Sequence, residues 1–350
     1  MSALAITPRT AADDEELFRL YGAVFGKARS ESSRSRWRWQ YLENPASAEA
    51  GPDIWVAREN GTLLGQYASM PVRLWWGGRE VRASWGMDVF LSPAARGRGA
   101  GAQLFTAWSD HVEVALGLGL TPSSYGLFQK LRYADVGPVP FYRKILDGRA
   151  IAARRVPRPL SGPVGRMLEL GWRLRHPERR RDARDVAVSP ITRFDARYDG
   201  LWERAGGSYA MCVRRDAAYL NWKYADCPHR RYDLLEATRG GVLAGFAVSR
   251  HEEQGGVRLG WVLDLFADAG DHGARDALLG RVLDGFRAEG VARAQAFSMS
   301  GAVGEDLRRR GFGRAVSPMQ FCVRARVPSE DVLQAPTRWH VMFGDSDMDR

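Results

Sequence analysis

The residues best suited to chemistry lie in Arg96-Gly97-Arg98-Gly99-Ala100-Gly101. Glycines at alternate positions let the backbone turn tightly and aim several N–H groups in one direction. The residues that follow read as an amphipathic helix, whose N-terminus adds about half a positive charge. Arg96 and Arg98 add whole charges. The combination forms a cradle for a di-anionic phosphate group. It is not a dinucleotide fingerprint, whose glycines follow the first strand with an acid ~20 residues later. Nor is it a P-loop, because no Gly-Lys-Ser/Thr follows.

The elements that position this loop can be read from periodicity. An apolar strand near 80–92 ends at Ser92-Pro93, and a helix near 99–116 carries Leu104, Trp108 and Val112 four apart on one face. Before them come a strand at Ala3–Thr7, a helix near Ala12–Phe25 and strands near 54–58 and 62–75. A strand near 117–120, a helix near 124–132 and a strand near 138–146 follow.

The chain then repeats itself. Trp39-Gln40-Tyr41-Leu42-Glu43-Asn44-Pro45 and Trp222-Lys223-Tyr224-Ala225-Asp226-Cys227-Pro228 share the pattern W-x-Y-x-x-x-P. Each precedes a β-like run, a turn at Asn60-Gly61 or Gly240-Gly241, and a second strand. Such ordered agreement reads as two copies of one domain, 1–146 and 189–328, joined by a Pro/Arg-rich linker at 147–188 and followed by a tail at 329–350. Strands alternating with helices late in each copy give an α/β (α+β) class with mixed sheets.

Composition narrows the class. Of 350 residues, 45% are apolar, which excludes general disorder. No apolar run reaches the ~18–20 residues that span a bilayer, and Met1–Thr10 lacks a signal-peptide layout, so a cytoplasmic location is expected. Three scattered cysteines suit neither a disulfide framework nor a zinc site, and no metal is expected. Much of the +10 net charge sits in the linker, where eleven arginines face five acids. Val164, Met167, Leu168, Gly171 and Trp172 there form a short amphipathic set that could rest on anionic lipid or dock between the domains.

Strand, Ser-Pro, R-x-x-G-x-G and helix together resemble motif A of the GCN5-related N-acetyltransferases. The resemblance covers about 3–146, and the repeat extends it to about 190–326. It implies that Arg96, Gly97, Arg98, Gly99, Ala100 and Gly101 hold the pyrophosphate of acetyl-CoA or another acyl-CoA, and that Val89, Phe90 and Leu91 bond its pantetheine arm. Thr121 stands where the family often has an Asn that contacts the cofactor. The family's thiolate-protonating tyrosine is Phe128 here, and Tyr125, one turn earlier, is the substitute. Asp88 is the candidate general base toward a small-molecule or peptide amine, with Glu80 next in line. In the second copy Asp268 and Asp271 replace the arginines, which marks it as degenerate.

The expected activity is acyl transfer from acyl-CoA to a primary amine by direct attack. Two other readings stay open: an aminoacyl-tRNA-dependent peptidyl transferase of the same tandem fold, and a non-catalytic acyl-CoA sensor. Nucleic acid is not an expected partner, because the phosphate loop suits CoA. The sequence leaves the oligomeric state open.

Overall fold

A computed structural model describes residues 4–26, 34–95 and 97–347. The first half runs β1 (Ala5–Pro8), α1 (Asp14–Phe25), α2 (Pro45–Ala50), β2 (Ile54–Glu59), β3 (Thr62–Trp76), β4 (Arg79–Leu91), α3 (Ala100–His111), β5 (Val114–Leu118), α4 (Pro122–Lys130), β6 (Ala134–Pro138) and β7 (Phe141–Ile145). Two helices follow, α5 (Gly148–Ala152) and α6 (Arg158–Arg175). The second half runs β8 (Val186–Ile191), α7 (Arg197–Ala205), β9 (Met211–Val213), α8 (Ala217–Leu220), β10 (Asp233–Arg239), β11 (Val242–Gln254), β12 (Val257–Ala267), α9 (His272–Ala288), β13 (Arg293–Phe297), α10 (Gly301–Arg309), β14 (Gly313–Ala315) and β15 (Gln320–Ala325). It ends with α11 (Glu330–Leu333) and β16 (Trp339–His340).

The strands form two mixed, mostly antiparallel sheets flanked by helices, as expected from the sequence. One has the order β1-β2-β3-β4-β5-β15-β6, with β9 and β16 attached beside β3. The other has the order β14-β7-β13-β12-β11-β10-β8. Each half therefore lends its closing strand to the other. β15 pairs with β5 and β6, and β7 pairs with β13 and β14.

A second link crosses between the repeats. Trp39 Nε1 donates to the Trp222 carbonyl at 2.7 Å, and Trp222 Nε1 donates to the Trp39 carbonyl at 2.8 Å. Their rings stack with centroids 5.1 Å apart. Repeated sequence thus becomes local two-fold symmetry. One apolar core runs through both halves, joining Val72, Trp85 and Leu116 to Phe246, Phe321 and Trp339.

Three sequence expectations change. The helix after the glycine loop stops at His111, because the apolar run Val114–Leu118 is taken up as β5 beside Ala83–Trp85. The stretch read as a linker contains the 18-residue helix α6. Pro157 and Pro159 sit at its start, where no intrahelical N–H bond is lost. The stretch read as a tail is packed inside, with Trp339, His340, Met342 and Asp345 all buried.

β4 packs closely on α3 where the chain leads toward the loop. A Cβ at Gly86 would lie 2.1 Å from the Tyr67 hydroxyl and 2.8 Å from the Trp108 ring. Gly86→Ala should cost about 1–3 kcal/mol by overpacking. Urea unfolding would measure it, and an unchanged midpoint would mean the strand can shift freely here.

Candidate active site

β4 and β5 run parallel and pair only over Ala83–Trp85 and Val114–Leu116. Beyond Trp85, no described strand lies on that side of β4. Val89, Phe90 and Leu91 pair with Tyr67, Gln66 and Gly65 of β3 on the other side. A strand open on one edge offers backbone N–H and C=O groups to an extended ligand. These are the residues that the sequence reading assigned to the pantetheine arm.

The open edge leads into the glycine turn. Ser92 N–H bonds the Leu64 carbonyl at 2.7 Å, which anchors the exit of β4. Gly97 (φ 75°) and Gly99 (φ 82°) adopt left-handed conformations that side chains disfavour. Nothing lies within 4 Å of a Cβ placed at either one, so the turn faces open space. Gly99 caps α3, whose first-turn amides at Ala100 and Gly101 follow directly. Arg96 lies outside the described residues. Arg98 is held by Glu59 at the end of β2, through bonds of 2.5 and 3.0 Å. That hydrogen bond, then the Arg98 charge, lowers the Glu59 carboxyl below the usual carboxylate range. Any anion bound at this turn would share Arg98 with Glu59.

Asp88 sits at an irregularity in β4. Met87 and Asp88 together oppose Ala68 of β3, a bulge that re-aims a side chain. Tyr41 Oη donates to Asp88 Oδ2 at 2.9 Å, and Arg36 Nη2 lies 3.5 Å from the same oxygen. Burial, then the Asp88 charge, raises the Tyr41 phenol far above its ordinary value, so it stays a donor. Gln66 Nε2 bonds the Asp88 carbonyl at 3.4 Å. A small pocket lined by Leu17, Tyr21, Arg36, Tyr41, Asp88 and Phe90 opens at this point. The chain end reaches it too, since Asp347 Oδ2 lies 3.5 Å from Arg36 Nη2.

The other assigned residues lie elsewhere. Tyr125 Oη donates to Asp135, whose other partners are Gly137 N–H and Gln320 Nε2. That hydrogen bond first, and burial second, raise the Tyr125 phenol. Its hydrogen-bond partner is on the β6–β15 side, not around Asp88. Phe128 is wholly buried against Phe105 and Tyr133. Thr121 caps α4, accepting from Ser124 N–H at 3.2 Å. Glu80 pairs with Arg214 at the far end of β4. Tyr41 and Arg36 were missed as site residues. The repeat pointed to Tyr41, because each copy sets its W-x-Y tyrosine on the aspartate late in a long strand.

That correspondence is visible in the second half. Tyr224 Oη lies 3.3 Å from Asp264 Oδ2, as Tyr41 lies by Asp88. Here, however, the cleft is stopped by the chain itself. β12 and β13 pair over Leu259–Val262 and then part. Met342 forms a bridge with Ser298, and Met299 N–H bonds the Val341 carbonyl at 2.9 Å. Arg215 joins Asp264 at 3.0 Å and Asp345 at 2.8 Å, all within a fully buried cluster. The glycine turn is replaced as well. Arg275, wholly buried, takes the Asp268 and Ala269 carbonyls at 2.5 and 3.0 Å, and Asp271 caps α9. Carbonyls aimed at a guanidinium leave no N–H cradle for phosphate.

Among the described residues no group of three or more His, Cys, Asp or Glu side chains could hold a metal ion. No helix among them is long and apolar enough to cross a membrane.

The first sheet thus parts between β4 and β5 and runs into a glycine-turned helix N-terminus. Residues 5–134 match the family profile described as "Acetyltransferase (GNAT) domain". The match falls on the first of the two repeats, which carries this domain's signature. A GCN5-related N-acetyltransferase from Anabaena variabilis shares the fold over 92% of this chain and 73% of its own, with 14% identity and a TM-score of 0.62. Another from Kribbella flavida does so over 93% and 71%, with 16% identity and a TM-score of 0.57. Eis1 from Mycobacterium abscessus matches over 92% and 73%, with 18% identity and a TM-score of 0.52. A comparison with curated protein sequences gave no match.

Proposed function

We propose that the first half of this chain binds acyl-CoA, acetyl-CoA foremost, and transfers the acyl group to a primary amine. The supporting observation is the continuity of the parted β4–β5 edge with the open glycine turn. The pantetheine arm would lie along Val89–Leu91, and the pyrophosphate would meet the amides at Gly99–Gly101 and the Arg98 charge. Asp88 stands beside the point where the thioester would end. An amine is protonated near neutral pH, its free pKa being ~10, so it must lose a proton before attack. Asp88 would take that proton directly or through water, with Tyr41 and Arg36 fixing its orientation. The amine nitrogen then bonds to the acyl carbon, and the carbon–sulfur bond breaks. The thiolate leaves and takes a proton from water. The second half walls the acceptor side and binds no CoA.

A thermal shift with acetyl-CoA tests the cofactor assignment, and thiol release with a panel of amines tests transfer. Arg98→Ala should weaken CoA binding by roughly tenfold, because a charge-assisted bond to phosphate is lost while an exposed side chain matters little to folding. Calorimetric titration would show it, and unchanged affinity would remove this loop from the cofactor site.

One observation favours a non-catalytic acyl-CoA sensor. Phe128 has no proton to give, and the Tyr125 hydroxyl is engaged by Asp135. Tight CoA binding without thiol release from any amine would decide for that reading.

A further inference from the structure

Helix α6 is amphipathic the wrong way round for a helix that only docks. A globular protein ordinarily turns the apolar stripe of such a helix inward. Here the inward face is made of small residues, a carboxylate and one hydrogen-bonded indole. Ser161 and Gly165 are buried, and a Cβ at Gly165 would lie 2.5 Å from the Arg149 backbone. Glu169 Oε1 accepts from Gly148 N–H at 2.7 Å, and Trp172 Nε1 donates to the Gly311 carbonyl at 3.0 Å. Those residues recur at helical spacing and fix which side faces the protein.

The opposite side carries the leucines. Leu160, Met167 and Leu174, seven apart, are 53%, 74% and 75% exposed, and Leu170 beside them is 60% exposed. With Leu168, 39% exposed, they are five of the nine exposed large apolar side chains among the described residues, gathered on one helix. Such a contiguous ridge marks an interaction surface.

Charge identifies the partner. Along one flank of the ridge lies a cleft of about 1060 Å³, floored by Ile145, Leu168, Trp172 and Phe312. Its wall holds Arg143, Arg175, Arg179, Arg308, Arg309 and Arg314. None of these six forms an ion pair among the described residues. The cleft's one acid, Glu305, is engaged by Arg181 at 2.6 Å. Arg309 Nε is buried without a hydrogen-bond partner. On the other flank stand exposed Arg166 and Arg173. A leucine ridge between arginine banks matches the two layers of an anionic bilayer surface, acyl chains and phosphate headgroups.

We propose that α6 and the adjoining arginine cleft dock this protein on anionic lipid bilayers, with Leu160, Met167, Leu170 and Leu174 entering the headgroup boundary and the cleft arginines holding lipid phosphates. A second copy of the chain fits poorly, because it would bring two unpaired arginine clusters together. Nucleic acid would satisfy the arginines and leave the ridge in water.

Flotation of the full chain with vesicles tests the proposal. Equimolar phosphatidylglycerol and phosphatidylcholine should carry the protein, phosphatidylcholine alone should not, and binding should fall as salt rises. Met167→Asp with Leu174→Asp should abolish flotation while leaving the melting temperature in place, since both side chains point into water. Arg308→Glu with Arg314→Glu should weaken binding by at least about tenfold. Absence of flotation with anionic vesicles would overturn the proposal. So would flotation indifferent to the ridge substitutions, displacement by soluble glycerol phosphate, or preference for duplex DNA or tRNA over vesicles. A dimer in sedimentation that the ridge substitutions dissolve, without vesicle binding, would assign the surface to a second copy instead.

Discussion

Arg215→Met should destabilise the protein by about 3–5 kcal/mol, the size of effect expected when one partner of a buried charge group is removed. Arg215 is completely buried between Asp264 and Asp345. Burial alone would raise the Asp264 carboxyl, but Arg215 and His340 more than offset it and hold it below the usual range. At Asp345 burial wins over Arg215, and the carboxyl is raised. Without the guanidinium, two carboxylates share a dry site with a histidine whose own protonation burial disfavours. Denaturant unfolding measures the loss. Adding Asp264→Asn and Asp345→Asn to Arg215→Met should restore a large part of it. If the triple variant is no more stable than the single, lost packing rather than stranded charge explains the effect.

Asp88→Asn should slow the chemical step by about 10²–10⁴-fold, the usual contribution of a positioned base. The amide keeps the shape and can still accept from Tyr41, so the fold and CoA affinity should be nearly unchanged. Single-turnover thiol release, with an acceptor in hand, separates chemistry from binding. Near-normal turnover would make Asp88 structural. Tyr41→Phe offers a graded comparison: it removes one donor to Asp88 and leaves the carboxylate in place, so its loss should be smaller than that of Asp88→Asn.

Local features were legible in sequence, and long-range choices were not. The glycine turn announced itself because Gly97 and Gly99 adopt conformations that other residues avoid. The two W-x-Y segments were legible as a repeat, and so were the hairpins after them. Nothing local said that Tyr41 would meet Asp88, 47 positions later. Nor does a strand's own pattern reveal its neighbour: β7 and β15 read as the closing strands of their own copies, yet each pairs in the other sheet. Asp345 falls in the stretch that the sequence leaves as a tail beyond the second copy. Arg215, 130 residues earlier, makes its burial possible. The proline-dense stretch was read as a linker because position within a helix, which decides what a proline does, is unknown until the helix start is known.

The reciprocal exchange of β7 and β15 also bears on how such a chain can change over generations. A truncation that discards the second half would pull β15 from between β5 and β6 and leave β7 with no ladder. The second copy can lose its phosphate turn and fill its cleft with its own chain end. It still cannot be shed, because the first copy has inherited one of its strands.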